Sequence, residues 1–178
     1  MPSLSNLFGL SATGGSDPKF MIAEYLIVNI LIAHTLSSTR ILKIRWRIDN
    51  HVSPRTDLEQ SGRRAVLEGR LQQRQLDMLR RNESAHANSM EHFPVFATAL
   101  ILAKMAGVPA ADINYFGLTY TLVRIAFVGN YILSSSLIGA YLRPVFWWTA
   151  NVACLKLIWR AGKAFNVVSY EGDSIVYS

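Results

Sequence analysis

One cysteine is all this 178-residue chain has, Cys154, and it lies inside an apolar segment. No intrachain disulfide can form, so nothing points to an oxidising compartment. A lone cysteine among apolar neighbours reads as packing. Metal-ligand spacing is missing as well: His34, His51, His86 and His92 form no H-x-x-x-H pattern. There is no G-x-S-x-G and no phosphate-cradling glycine loop, which argues against serine-hydrolase and nucleotide chemistry. Residues 1–16 contain no Lys or Arg. A cleavable signal peptide needs a basic start, so the first apolar segment is expected to be a retained helix.

What is present is apolar length. Hydrophobic residues make up 51% of the chain and mean hydropathy is positive. Stretches of about 20 apolar residues cross a hydrocarbon core. The net charge of +6 is unevenly placed, with eleven of the eighteen basic residues between Arg40 and Arg81. Basic residues gathered beside a hydrophobic segment mark the cytosolic side of a membrane protein rather than a nucleic-acid surface.

The pattern predicts an all-α fold, one membrane domain over 1–178 built as a four-helix transmembrane bundle. The spans fall at about 20–42, 80–108, 113–133 and 144–162, and a long basic loop covers 43–79. Asp17-Pro18 is expected to open the first helix. The loop reads as a solvated basic stretch against lipid headgroups, with a helical run from Asp57 that could extend the second span into water. Pro94 should kink the second span, and Gly107-Val108-Pro109 should end it. Asp112 is expected to cap the third, and Ser134 to Arg143 reads as a turn before the fourth. Trp147, Trp148 and Trp159 fall near the ends of the fourth, where aromatic belts sit. Four spans put both termini on one side. The loop side then carries the larger share of Lys and Arg and is placed in the cytosol.

Polar residues inside such segments should carry the chemistry. Arg81, Ser84, Asn88 and Glu91 share one face of the second helix; Tyr120, Arg124, Phe127 and Tyr131 share one face of the third. Arg124 sits mid-span. It can be read as a structural partner of Glu91 or as part of a binding site, and a pair can also shape a site. Several Arg with one Glu, one Asn and a Tyr suit a small zwitterion with more than one carboxylate, because Arg grips carboxylates in bidentate fashion. His86 and His92 read as hydrogen-bonded structural residues rather than catalytic bases.

The run Arg81 to Phe96, RNESAHANSMEHFPVF, resembles the helix-two signature of the MAPEG family, the membrane-associated proteins of eicosanoid and glutathione metabolism. Its core N-x-x-E-x-F-P-x-F is met by Asn88, Glu91, Phe93, Pro94 and Phe96. The helix-three pattern of Arg with Tyr seven residues on is met by Arg124 and Tyr131. The four-span layout, the long first loop and an Arg opening helix four also fit. The resemblance covers about Phe20 to Gly162.

That resemblance implies a homotrimer in an intracellular membrane, in particular the endoplasmic reticulum, with glutathione held between neighbouring subunits near the cytosolic face. It places Asn88 and Glu91 of helix two, with Arg81 at the head of the motif, and Arg124 and Tyr131 of helix three at glutathione. Arg40, closing helix one, resembles the family arginine that reaches the same site. Arg143 is the best match for the arginine that stabilises the thiolate. A free thiol has a pKa near 8.5 and its thiolate is the nucleophile; a neighbouring Arg lowers an acid's pKa by about 1–3 units. A lipophilic substrate would arrive from the surrounding lipid, and no metal is implied.

Three positions depart from the eicosanoid synthases of the family. Ser84 stands where they have a second helix-two Arg, Phe127 where they have Tyr or His, and Pro144 follows Arg143 where the prostaglandin synthase branch has Ser. The expected activity is therefore glutathione-dependent transfer, isomerisation or peroxide reduction on a lipophilic substrate, without assignment to either synthase. A glutathione-independent isomerase or cyclase and a non-catalytic lipid-binding adaptor remain open on the same scaffold.

Overall fold

The computed structural model describes residues 4–11 and 17–176, with 167–176 as helix backbone. Among the described residues every regular element is helical. A short α1, Leu4–Leu7, precedes α2, Ile22–Leu31. The latter continues as a π turn, Ile32–Leu36, breaks at residues 37–39 and restarts as α3, Arg40–Arg45. After a π turn at Leu58–Gly62 come α4, Arg63–Leu67, and the long helices α5, Gln73–Met105, α6, Ala110–Leu133, and α7, Leu137–Val176. Helices α5, α6 and α7 pack around one another and α2 lies against α5 and α6. By length and composition, the stretches Ile22–Arg45 and Ala110–Leu133 are apolar enough to cross a membrane.

Several helix ends differ from the local pattern, each for a tertiary reason. Asp17-Pro18 does not open helix one, which starts at Ile22. The Met21 N–H donates to Asn114 Oδ1 of α6 at 2.9 Å, and Asn114 Nδ2 donates to the Lys19 and Gly9 carbonyls. Asn114, fully buried, thus supplies from another helix the cap that Asp17 was expected to give. Asp112 is no cap either: it lies in the first turn of α6, and its carboxylate receives Arg160 of α7 at 2.6 Å. Helix α5 begins at Gln73, where the Gln72 N–H donates to Gln75 Oε1 at 2.8 Å. It ends before Gly107, whose φ of +71° is the left-handed stop that glycine accepts without cost. Helix α7 starts at Leu137, so residues read as a turn are its first two turns and Pro144 lies inside it.

The main core gathers Tyr25, Phe96, Leu100, Ile113, Tyr120 and Cys154 from all four long helices. Tyr120 stacks on Phe96 with ring centroids 3.9 Å apart. Gly117 lets Tyr25 approach α6: a Cβ there would lie 2.4 Å from the ring. The loop is not merely solvated. Ile48, Leu58, Ala65, Leu71, Leu76 and Leu79 form a second core beneath it. Lys43, buried, bonds Glu83 of α5 and the Pro54 carbonyl, with Asp57 3.8 Å away. The basic segment is a small folded unit fastened to the start of α5.

Candidate functional site

The polar faces of α5 and α6 meet at Arg124. Its side chain is buried, with Nη1 donating to Asn88 Oδ1 at 3.1 Å and Nη2 to Ser89 Oγ at 3.0 Å. The Arg124–Glu91 pair considered from the sequence does not form. Glu91 is exposed on the outer face of α5, and its carboxylate has no partner among the described residues. Three residues separate it from Asn88, so the two sit on adjoining turns of one flank.

From Arg124 a column of rings and cations runs along α6. The guanidinium carbon lies 4.6 Å from the Phe127 ring centroid. Phe127 meets the Tyr131 ring at 5.4 Å. Over the Tyr131 ring, 4.2 Å from its centroid, sits the guanidinium of Arg143 from α7. Arg143 Nη2 donates to the Ser134 carbonyl at 3.2 Å, while its buried Nε finds no acceptor. Arg81 reaches over from α5 and places Nε and Nη2 each 3.4 Å from the Ile132 carbonyl. The early start of α7 makes this possible, because Ser134 and Arg143 then face each other across one tight corner.

The electrostatic consequence is specific. Arg81, Arg124 and Arg143 bond carbonyls, an amide, a hydroxyl and ring faces, and none forms an ion pair with a carboxylate among the described residues. Neutral partners orient a guanidinium without cancelling its charge. Where α5, α6 and α7 meet, three guanidinium groups are thus held in place with their charge uncancelled, the chemistry that suits an anion, since Arg takes carboxylates in bidentate fashion. Phe127 explains how a ring can stand at a position where a polar group was expected: it is the platform under Arg124, a contact worth about 0.5–2 kcal/mol. Ser84 is exposed and donates to the Arg80 carbonyl at 3.1 Å.

Arg40 lies apart from this column. It is exposed and donates to His51 Nδ1 at 2.8 Å, with Asp49 3.4 Å away. Together with His34, Lys43, Glu83 and His86 it lines a cleft of about 540 Å³ at the break in helix one. His86 donates from Nδ1 to the Ala33 carbonyl at 2.8 Å, a structural bond. His92 is likewise held, Nδ1 to the Tyr120 hydroxyl at 2.9 Å. Glu83 and His86 point from α5 toward helix one, whereas Arg81, Asn88 and Glu91 lie on the other flank.

Of the residues singled out from the sequence, the fold thus joins Arg81, Asn88, Arg124, Tyr131 and Arg143 within one chain. It leaves Glu91 at the edge of that group and Arg40 on a different side. Ser89 escaped the sequence reading, although it neighbours Asn88 on a polar turn. The contact between Lys43 and Glu83, forty residues apart, has no local signal. No group of three or more His, Cys, Asp or Glu comes together among the described residues.

A family model described as the MAPEG family matches residues 22–163. No curated protein and no solved structure matches the chain.

Proposed function

The chain belongs to the MAPEG family, and from that premise we propose that it is a four-span membrane enzyme that activates glutathione toward a lipophilic substrate. The observation that carries this reading is the trio Arg81, Arg124 and Arg143, oriented by neutral groups and left positively charged beside Asn88 and Tyr131. The glycyl and glutamyl carboxylates of glutathione match Arg81 and Arg124, and Glu91 matches its ammonium. Arg143, fixed on Tyr131 and Ser134, is the cation for the thiolate. Transfer, isomerisation and peroxide reduction all begin from that thiolate.

The four-span reading is supported by where polar contacts tie the helices at their ends. At one end Arg160 meets Asp112 and Lys104 caps the Phe20 ring. At the other, Arg81 meets Ile132 and Arg143 meets Ser134. At 1.5 Å per residue, Arg143 to Arg160, Asp112 to Tyr131 and Arg81 to Lys104 span about 26, 29 and 35 Å, close to a hydrocarbon thickness of about 30 Å. A cysteine at Arg55 and one appended after Ser178 should label from opposite faces.

The homotrimer belongs to the same proposal. Arg40 and the Asn88–Glu91 flank sit on different sides of one subunit, so only a neighbouring copy brings them together. An unpartnered carboxylate at membrane depth needs such a neighbour. The location is an intracellular membrane, the endoplasmic reticulum, with the loop in the cytosol.

The deciding experiment is calorimetric titration of glutathione into the detergent-purified protein, with thiolate followed by its ultraviolet absorbance. Binding with a thiolate signal near neutral pH is expected. Absence of binding heat and of the signal would move the glutathione-independent readings ahead.

A further inference from the structure

On the outer face of α7, far from Arg143, Lys156, Trp159 and Lys163 follow one another at helical spacing. They border a groove of about 700 Å³, with Leu155 as apolar wall and Gly162 on its floor. A Cβ at Gly162 would meet nothing within 4 Å, so the floor is open space. Lys163 Nζ lies 5.6 Å from the Trp159 ring centroid. Neither lysine forms an ion pair among the described residues. Arg160, between them in sequence, is already taken by Asp112.

This inference rests on the four-span reading, in which the Arg160–Asp112 pair marks the level where the helices leave the hydrocarbon. Lys156 is one turn deeper, about 6 Å, and Lys163 about 4.5 Å further out. An ammonium one turn inside hydrocarbon is costly unless it extends outward. Both lysines border the same largely apolar groove, whose rim carries Trp159, the side chain favoured at that boundary.

We propose that this groove is a binding site for an anionic phospholipid of the leaflet on the terminal side, its phosphate between Lys156 and Lys163 and an acyl chain along Leu155. Charge complementarity selects the occupant, because a zwitterionic headgroup brings its own cation to two unneutralised lysines. A second protein copy would have to offer an acidic side chain at this depth.

The test is native mass spectrometry of the full-length protein from mixed micelles holding equal amounts of phosphatidylglycerol and phosphatidylcholine. Wild type should retain phosphatidylglycerol in preference, roughly thirty-fold, or about fivefold for each lysine. Lys156→Met with Lys163→Gln should abolish the preference. Gly162→Leu, which fills the groove while keeping both charges, should abolish it too, and Lys156→Arg with Lys163→Arg should keep it. Lys104→Gln, on the same side but another helix, should leave it unchanged. Equal retention of the two lipids by wild type would overturn the proposal. So would a preference that survives Gly162→Leu, an equal loss in Lys104→Gln, or a fall in oligomeric mass accompanying the loss of lipid.

Discussion

The basic loop and the region where α5, α6 and α7 meet are both rich in cations, yet they handle charge in opposite ways. In the loop unit, Lys43 meets Glu83 and Asp57, Arg63 and Arg80 share Glu59, and Arg70 meets Glu68. Where the three helices meet, Arg81, Arg124 and Arg143 have only neutral partners among the described residues. A cation neutralised by a neighbouring carboxylate contributes to structure; one oriented by carbonyls, amides and rings keeps its charge for a ligand. The difference separates architecture from binding more sharply than the number of basic residues does.

The largest effect that would test this contrast is on stability. Lys43→Met leaves Asp57, whose side chain is fully buried, and Glu83 without their cation. Breaking a buried pair from one side costs about 3–5 kcal/mol, so a large fall in thermal midpoint is expected in detergent. Arg124→Met removes a buried cation with no acidic partner, and its midpoint should change far less. Equal losses for the two variants would erase the distinction.

Next in size is catalysis at Arg143. Arg143→Ala should raise the thiol pKa by about 1–3 units. The pH–rate midpoint then moves up, and the rate at neutral pH falls roughly ten- to thirty-fold, because a thiol with a pKa near 8.5 is only about 3% thiolate at pH 7. Glutathione affinity should weaken only modestly, because the other contacts persist. Arg143→Lys should recover part of the rate, a point charge remaining without the planar fork. An unchanged thiolate absorbance and midpoint would pass the role to Arg124 or Arg40.

Smaller still is the platform under Arg124. Phe127→Leu keeps the site apolar but removes the ring that lies 4.6 Å from the guanidinium. A loss of about 0.5–2 kcal/mol is expected in glutathione affinity, read by calorimetry, with the pH–rate midpoint unmoved. The smallest effect should come from the loop surface. Glu59→Gln breaks exposed pairs with Arg63 and Arg80, and such pairs contribute about 0.2–1 kcal/mol each. A change in glutathione affinity in this variant would show that the loop's charges are not purely architectural.

The all-helical build, the apolar stretches of helix one and α6, the basic stretch and the helix-two motif were legible in the sequence, because hydrophobic periodicity and local spacing are properties of neighbours along the chain. The polar faces of α5 and α6 were legible for the same reason, as Asn88, Arg124 and Tyr131 fall at helical intervals. Tertiary structure alone decided which of those residues touch. Arg124 chose Asn88 and Ser89 over Glu91, and Asn114 took the capping role from Asp17 across ninety-three residues of chain. The early start of α7 brought Arg143 onto Tyr131. The loop, read as a solvated stretch with a helical run from Asp57, folded over a core of its own. The sequence set which groups were available and on which helical face. Their pairing depended on how the faces pack, since a guanidinium and its acceptor from different helices share no spacing along the chain.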